Sequence, residues 1–539
     1  MFGKTLVGVL LGALLIVGGT RLITAATGDT RLSEAAMNGD KATVRTLLTQ
    51  KVDVNVAQGD GTTALHWAAY RDDVEMAQLL IKAGADVKAA TRVGSMTPLF
   101  MAAKNGSAAM LQLLITAGAD VNSASTSTGT TPLMLAAAAG KADAVKVLVE
   151  KGANVNAKDL TNGQTALMFA ASLNRDEAIK VLTGRGADMK ATSKVSPVAE
   201  DARRGGGEGR RGRAPVMMGG NTALLFAARD GQLNAVKALV ESGVDVNQPS
   251  MSDNMPPITQ AIVTGHFDVA KYLLDHGADP NVTSTASKLA PLYAVIDSQY
   301  AQREWYPPPS VEQEKTTHLE LIRALLDKGA DVNARSGARP WYRGFGNSGG
   351  PDPNGSTPFW RATAALDMDA MKLLLSRGAD PNMTTTTGCS ALCVAAGLQH
   401  SHQGANQVPD ARLPVVKYLV EELKADVNTK NDKGYTPLHG AALIGRDDVI
   451  MYLMEKGADI KARATQISGS GDGGGEAKDA AEGKGDTVAD MANGWSMNSP
   501  QYPSTVQLLL KLGSEFSNTC WASTCVNPAR PDKAGKKNP

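Results

Sequence analysis

The amino-acid sequence predicts an all-α repeat solenoid of about 11 to 12 stacked helix-turn-helix units joined by β-hairpin loops. One apolar anchor returns every 34 residues, at Leu65, Leu99, Leu133 and Leu167. A second anchor keeps the same step, at Gly84, Gly118, Gly152 and Gly186. Aromatic residues make up only 4% of the 539 residues, and paired alanines such as Ala68-Ala69 follow the first anchor. Small residues at this position let helices of adjacent units approach closely, so a large fold needs few bulky side chains.

Each predicted unit contains two helices with recognisable ends. A threonine such as Thr131 precedes the first helix, where it caps backbone N–H groups, and Pro132 follows in the first turn, where its missing N–H costs nothing. The second helix shows apolar residues at helical spacing, as at Val74, Ala77 and Leu80. It ends at a glycine suited to a left-handed cap. The Asp-Val-Asn sequence that follows has turn chemistry and leads into the next hairpin.

The best copy of the first-helix motif is Thr436-Pro437-Leu438-His439-Gly440-Ala441-Ala442. It closely resembles the Thr-Pro-Leu-His-x-Ala-Ala core of the ankyrin repeat family. Other copies depart from that core, with Ala64 or Ala166 at the proline position and histidine present only at 66 and 439. We expect these departures to reduce local stability and to leave the fold intact.

The resemblance implies a non-enzymatic scaffold that holds a partner protein on the concave face, formed by hairpin tips and first helices. A rigid repeat surface of this kind loses little entropy on binding. The implied contact positions are the residue before the threonine and the pair after Ala-Ala. In this chain they include Thr62, Tyr70, Arg71, Lys104, Asn105, Gln164, Arg229, Asp230 and Tyr435.

Departures from the regular spacing divide the chain. We expect the repeats to occupy residues 27–463, with insertions at about 191–219, 297–318, 335–354 and 398–412. A Gly-rich linker at 464–485, a degenerate capping repeat at 486–516 and a tail at 517–539 follow. The arginine- and glycine-rich stretch at 203–213 could be an RNA-binding segment, but a solvated loop is favoured, because the stretch lacks the apolar residues of a core.

Residues 1–26 are predicted to be a signal peptide. Lys4 is followed by an apolar run from Leu6 to Val17, and Ala26 offers a cleavage site. An uncleaved membrane anchor stays open as the alternative, because Arg21 is awkward in a cleavage region. In both cases we expect a bacterial protein that works outside the cytoplasm, in the periplasm or secreted.

The four cysteines fall into two pairs. Cys520 and Cys525 lie in the polar tail, where an oxidising compartment favours a disulfide over two thiols. Cys389 and Cys393 stand at a helix start, where packing as small apolar residues is favoured over a strained local disulfide. A metal site using them with His400 or His402 would have suitable donors, but the spacing matches no zinc pattern. No cofactor or metal is expected.

A second function class comes from aromatic residues in the insertions. Trp305, Tyr306, Trp341, Tyr342 and Phe345 lie in Gly- and Pro-rich segments, where they could stack on a sugar or another small ligand. The competing interpretation is that they fold their own loops back onto the repeats. An inert spacer without a specific ligand is a third class.

Charge and motif content exclude other functions. With 55 Lys+Arg against 54 Asp+Glu, the chain has no overall field to gather nucleic acid. The sequence contains no nucleophile elbow, phosphate-binding loop or metal-binding helix motif, so no catalytic residue is assigned. His66 and His439 occupy a turn position where a structural role is expected. The protein is expected to be a monomer.

Overall fold

The computed structural model describes residues 29–197, 217–285, 287–300, 311–337, 354–398, 407–465, 485–493 and 501–516. Within them, 24 α-helices alternate as first and second helices of twelve successive pairs. The predicted all-α repeat solenoid is therefore confirmed. The chain divides into two compact units. The N-terminal unit runs to Ala261 and includes Asp268–Ala278, and the C-terminal unit contains Ile262–Phe267 and the residues from Asp279 onward.

In the N-terminal unit, first helices pack on first helices and second helices on second helices of the neighbouring pair. Its first helices are α1 (Arg31–Asn38), α3 (Ala64–Tyr70), α5 (Pro98–Asn105), α7 (Pro132–Ala139), α9 (Ala166–Ser172) and α11 (Ala223–Arg229). Its second helices are α2 (Lys41–Thr49), α4 (Val74–Lys82), α6 (Ala108–Thr116), α8 (Ala142–Glu150), α10 (Asp176–Gly184) and α12 (Leu233–Glu241). The next pair, α13 (Pro257–Val263) and α14 (Phe267–Asp275), includes the boundary between the units.

The C-terminal unit repeats this arrangement. Its first helices are α15 (Pro291–Gln299), α17 (Pro358–Ala364), α19 (Ala391–Ala396), α21 (Pro437–Leu443) and α23 (Val488–Ala492). Its second helices are α16 (His318–Asp327), α18 (Met368–Leu375), α20 (Arg412–Glu421), α22 (Asp447–Glu455) and α24 (Pro503–Lys511). The residues predicted as a capping repeat contain α23 and α24, and α23 packs on α21.

The first-helix motif supplies both the helix start and the core. Thr131, Thr165 and Thr222 are extended N-caps whose hydroxyls accept a backbone N–H from the first turn. The anchor leucines and the paired alanines behind them are almost fully buried, as at Leu133, Ala136 and Ala137. The sequence interpretation of both features is confirmed.

The loops between units differ from the prediction of regular β-hairpins. Among the described residues there is one two-stranded sheet, in which β1 (Val195–Pro197) pairs antiparallel with β2 (Met217–Gly219) inside the predicted insertion at 191–219. Other loops are tight turns closed by backbone hydrogen bonds, such as Ser125 N to Thr130 O at 2.9 Å and Gly129 N to Ser125 O at 2.8 Å.

Backbone hydrogen bonds link the tips of successive loops. In the N-terminal unit, Arg92 N donates to Asp60 O at 2.8 Å and Leu160 N donates to Thr128 O at 2.8 Å. In the C-terminal unit, Thr465 N donates to Lys433 O at 2.8 Å. Ala464 N also donates to Asp486 O at 2.9 Å, so hydrogen bonds hold both ends of the predicted linker against the repeats.

An asparagine ladder adds a second link between repeats. The last Asn of the Asp-x-Asn turn, or of Asn154-Val155-Asn156 in one repeat, donates its side-chain amide to the carbonyl of the glycine that follows the next second helix. The pairs are Asn55–Gly84, Asn122–Gly152, Asn156–Gly186 and Asn247–Gly277 in the N-terminal unit, and Asn281–Gly329, Asn333–Gly378 and Asn428–Gly457 in the C-terminal unit. The same turn therefore serves its own repeat and its neighbour.

The predicted signal peptide and the Cys520–Cys525 tail lie outside the described residues, as do His400 and His402. No helix in the part of the chain that the structure describes is both long and apolar enough to cross a bilayer.

Candidate partner-binding face

One position of the first-helix motif is only half-buried in α3, α5, α7 and α9 of the N-terminal unit, whereas Phe226 at this position in α11 is buried. It is the residue between the His position and the Ala-Ala pair, and its neighbours on both sides are buried. Large apolar side chains occupy it in four consecutive repeats: Trp67, Met101, Leu135 and Phe169. Because α3, α5, α7 and α9 pack side by side, these four residues form one line across the first helices. We call this line the apolar stripe.

Local contacts fix the first member of the stripe. The Trp67 indole N–H donates to Gln58 Oε1 in the preceding loop at 3.0 Å. The Trp67 ring meets the Tyr70 ring edge-on, with centroids 5.9 Å apart. Tyr70 is one of the predicted contact residues, and 43% of its surface is exposed. An exposed tyrosine beside a half-buried tryptophan is a suitable anchor for a partner.

A row of cations lies at the C-terminal ends of the first helices. The first helices α1, α5 and α7 end at glycines with positive φ, namely Gly39, Gly106 and Gly140. A Cβ built on Gly106 or Gly140 would lie 2.4 Å from the side chain of Lys141 or Arg175, respectively. A long cationic side chain from the next repeat thus packs against each glycine, and Arg71 does so at Gly39.

Hydrogen bonds hold two of these cations in place. Arg71 Nη1 donates to Met37 O at 3.2 Å, and Arg175 Nε donates to Ala138 O at 3.0 Å, so each bridges to the first helix of the preceding repeat. Among the described residues, no salt bridge involves Arg71, Lys104, Lys141 or Arg175. We call these four residues the cationic row.

The remaining predicted contact residues occupy several environments. Thr62 is only 8% exposed and Tyr435 only 6%, and the Tyr435 hydroxyl donates to Asp486 Oδ2 at 2.8 Å. Both are too buried to form a docking surface, which corrects the expectation for these two. The Asn105 amide donates to Tyr70 O at 2.5 Å, a bond between repeats.

Gln164 and the Arg229–Asp230 pair complete the predicted set. Gln164 is half-buried, and its backbone N–H donates to Asp159 Oδ2 at 2.8 Å. Arg229 and Asp230 pair with each other through Nε and Oδ1 at 2.8 Å, while the guanidinium lies 4.9 Å from the centroid of the Phe226 ring. The charges of this pair are compensated within the same repeat.

Sequence reasoning missed the apolar stripe and half of the cationic row. The family pattern directs attention to residues after the Ala-Ala pair, whereas the stripe lies just before it. The available signal was the 34-residue step itself, since Trp67, Met101, Leu135 and Phe169 are large and apolar in the same register. Lys141 and Arg175 were missed because they stand in the turn, beyond the predicted pair.

The C-terminal unit has no such stripe at the corresponding positions. They hold Ala294, Arg361, Val394, Gly440 and Met491, all of which are buried. Arg361 is 9% exposed and donates from Nε to Oδ1 of the fully buried Asp297 at 2.7 Å. Burial lowers the pKa of the Arg361 guanidinium. These side chains hold the C-terminal unit together and offer little surface to a partner.

A carboxylate joins the two ends of the insertion predicted at 297–318. Tyr300 lies near the start of this segment and His318 is its last residue, and both approach Asp367 Oδ2 at 2.9 Å. Burial raises the pKa of Asp367, but hydrogen bonds from His318, Ala370 N and Tyr300 outweigh it, so the net pKa is lowered. Burial, with Asp367 nearby, raises the pKa of Tyr300. Trp305, Tyr306, Trp341, Tyr342 and Phe345 lie outside the described residues.

The two motif histidines have structural contacts. His66 Nδ1 accepts from Thr63 N at 3.1 Å, and His66 Nε2 lies 2.9 Å from Met96 O in the next repeat. His439 Nδ1 accepts from Thr436 N at 3.2 Å. Burial lowers the pKa of His66, and it lowers the pKa of His439 to about 4. Both imidazoles are therefore neutral caps at physiological pH.

Cys389 and Cys393 are buried thiols that do not form a disulfide with each other. Burial raises the pKa of Cys393 to about 11, which keeps its thiol protonated and unreactive. The packing interpretation of this pair is confirmed. No group of three His, Cys, Asp or Glu side chains within the described ranges is placed to hold a metal ion.

Comparison with known proteins agrees with this architecture. Five stretches, at 10–91, 32–125, 99–193, 210–284 and 359–464, match the family profile described as "Ankyrin repeats (3 copies)". Alpha-latrocrustotoxin-Lt1a of Latrodectus tredecimguttatus is 32% identical over 148 residues, which cover 28% of this chain and 8% of the toxin. Human ankyrin repeat domain-containing protein 49 is 43% identical over 51 residues, covering 10% of this chain and 21% of the relative.

Another similar protein is named as an enzyme. Palmitoyltransferase akr1 of Schizosaccharomyces pombe is 43% identical over 56 residues, or 9% of its length. The chain thus spans less than a quarter of the length of each of these three relatives. The similarity concerns the repeats, and since the family profile matches well over half of the sequence, the chain belongs to the ankyrin repeat family.

Proposed function

We propose that this protein is a non-enzymatic scaffold that binds a partner protein on the concave, first-helix face of its N-terminal unit, outside the cytoplasm. Ankyrin repeats are protein-interaction modules, which supports the general function. One observation carries the choice of face: in α3, α5, α7 and α9 the stripe position is half-buried and occupied by Trp67, Met101, Leu135 and Phe169. The stability of the repeat does not require large apolar groups at this position, because the C-terminal unit places Ala294 and Gly440 there.

The arrangement of the face also favours binding over catalysis. The stripe and cationic row are held by packing and hydrogen bonds between repeats, so a partner would meet a preformed surface. The buried titratable groups, such as His439 and Asp297, have structural contacts in the same or the next repeat.

The face is tested by site-specific photo-crosslinking. A p-benzoyl-phenylalanine at position 135, in the stripe, should crosslink the partner in an extract of the native source. The matched control carries the probe at Leu113, a half-buried leucine on the second helix α6 of the neighbouring repeat. A crosslink from the probe at position 113 and none from the probe at position 135 would contradict binding on the first-helix face.

Small-ligand or glycan binding by the aromatic insertions remains the alternative. Deleting the whole segment 300–350 would also remove α16, which runs from His318 to Asp327. Substituting Trp305, Tyr306, Trp341, Tyr342 and Phe345 by alanine avoids this loss. Glycan-array binding that disappears in this variant, together with the absence of a crosslink from position 135, would favour the alternative.

The location outside the cytoplasm rests on the apolar N-terminal segment and Ala26. We expect a mature chain that begins at Thr27, recovered from the periplasm or the medium. Intact-mass measurement of the purified native protein distinguishes a cleaved signal peptide from an uncleaved anchor. A full-length chain found in the cytosolic fraction would contradict the proposed location.

A further inference from the structure

We propose that the apolar stripe and cationic row together form a receptor for an acidic, amphipathic α-helix of the partner protein. This inference rests on the proposed function and adds the chemistry of the partner. It draws on three features of the N-terminal unit: the spacing of the stripe, the uncompensated charge of the row, and the way both are held in place.

The spacing of the stripe favours a helix. Packed helices lie about 8–10 Å apart, so the four stripe residues on successive first helices cover about 24–30 Å. Seven residues of an α-helix advance about 10.5 Å and return to nearly the same face. A helix of about 20 residues lying across α3, α5, α7 and α9 would therefore place one apolar residue per heptad near each stripe residue. An extended strand repeats its face about every 6.6 Å, which does not fit this step.

The positive charge of the cationic row indicates which residues should lie beside the apolar face of that helix. Lys104 is half-buried, and Arg71, Lys141 and Arg175 are exposed, with no acidic partner among the described residues. Asp230, the acidic residue among the predicted contact residues, is already paired with Arg229. A helix with glutamates or aspartates along one side would supply the missing countercharges.

The cations are also held at fixed positions. Glycine at 39, 106 and 140 leaves room for the side chains of Arg71, Lys141 and Arg175, and Arg71 and Arg175 also donate hydrogen bonds to carbonyls of the preceding repeat. A charge that is already immobilised loses less side-chain entropy when it pairs with a ligand. The row is therefore better suited to recognition than flexible surface lysines are.

The direct test uses a designed peptide and the full chain. The probe is a fluorescent 21-residue helix with leucine at positions a and d of three heptads and glutamate at e and g. Fluorescence anisotropy should show saturable binding that weakens as salt is raised. Two comparison peptides carry lysine in place of glutamate, or the same leucines moved off the common face, and both should bind at least tenfold more weakly.

Variants of the chain locate the bound peptide. Leu135→Glu should weaken binding at least tenfold, while Leu113→Glu on α6 should leave it unchanged. Combined Lys104→Glu, Lys141→Glu and Arg175→Glu should weaken binding by a similar factor, and Lys146→Glu on the second helix α8 should not. Circular dichroism of each variant checks that the repeats remain folded.

Three results would overturn the proposal. The first is an acidic helix that binds no better than its lysine counterpart. The second is tighter binding of a proline-rich peptide with leucine at every third residue, whose turn of about 9.3 Å also fits the stripe. The third is a concentration-dependent dimer of the chain that Leu135→Glu abolishes, since a second copy would then occupy the face. A crosslink from position 135 to a partner segment that is not acidic would contradict the helix and leave the proposed function standing.

Discussion

The side-chain amide of Asn122 donates to the carbonyl oxygen of Gly152 in the next repeat at 3.0 Å. The same side chain accepts a hydrogen bond from Asn154 N at 2.8 Å. One asparagine thereby satisfies the terminal carbonyl of a neighbouring second helix and orders the turn that follows it. Such a residue couples repeats, and in repeat proteins the coupling between neighbours determines whether they unfold together.

We predict that Asn122→Ala lowers the free energy of unfolding by about 1–2 kcal/mol, since it removes two intramolecular hydrogen bonds. Urea unfolding followed by circular dichroism measures the change. The control is Asn382→Ala, because Asn382 occupies the same turn position, but among the described residues no hydrogen bond of its side-chain amide is found. Equal losses in the two variants would show that the ladder does not couple the repeats.

Substituting Gly140 tests whether Arg175 of the cationic row packs against this glycine. Its φ is 76°, and a Cβ at this position would lie 2.4 Å from Arg175 Cδ. Gly152 has a φ of 89°, but a Cβ there would meet nothing within 4 Å. Gly152→Ala should therefore lower the free energy of unfolding by about 1–2 kcal/mol, the cost of backbone strain alone. Gly140→Ala should lower it further, because Arg175 must also move.

A double-mutant cycle separates the two contributions at Gly140. In an Arg175→Ala background, Gly140→Ala should cost about as much as Gly152→Ala, because the clashing side chain is absent. Chemical denaturation of the four chains gives the coupling energy. A coupling near zero would mean that Arg175 does not pack against Gly140 in solution.

Because the pKa of the buried His439 is lowered, we predict that the folded chain loses stability in mild acid. Its pKa is about 4 in the folded chain and about 6.5 when unfolded, so between these values the unfolded state binds more protons. Its contribution is fully present above pH 6.5, falls as the pH drops, and is lost at pH 4. The size of the loss is about 3 kcal/mol, taking 1.36 kcal/mol for each pKa unit.

His439→Gln removes this titration. Unfolding free energies of wild type and variant should differ most at pH 7 and converge by roughly that amount towards pH 4. Carboxylates titrate alike in both chains, so the difference between the curves isolates the histidine. Parallel curves across this range would show that His439 is not buried as a neutral imidazole.

The repeat architecture could be predicted from the sequence because the residues that indicate it recur at a fixed spacing and act within one repeat. The anchors at Leu133 and Gly152 and the threonine caps each perform their role within one repeat. The asparagine ladder was not accessible, because Asn122 satisfies a turn motif by itself and its bond to Gly152 depends on how two repeats stack. The same reason explains the failure at Thr62 and Tyr435, whose exposure depends on neighbouring loops.

Substitutions in the Arg361–Asp297 pair test whether the stripe position has a structural role in the C-terminal unit. Asp297 is fully buried, its Oδ1 lies 2.7 Å from Arg361 Nε, and the Arg361 guanidinium also donates to Tyr300 O at 3.2 Å. Asp297→Ala leaves a buried cation without its countercharge. We expect the free energy of unfolding of the C-terminal unit to fall by about 3–5 kcal/mol, as for other broken buried pairs.

Replacing both partners distinguishes lost charge pairing from lost packing. Asp297→Leu combined with Arg361→Met removes both charges and keeps apolar bulk, so this chain should be more stable than Asp297→Ala alone. Urea titration followed by hydrogen exchange of α15 and α17 measures the effect where the pair lies. If the double variant is less stable than the single one, the hydrogen bonds of Arg361 matter more than its charge. The position that offers a partner surface in the N-terminal unit would then serve in the C-terminal unit as a polar crosslink between first helices.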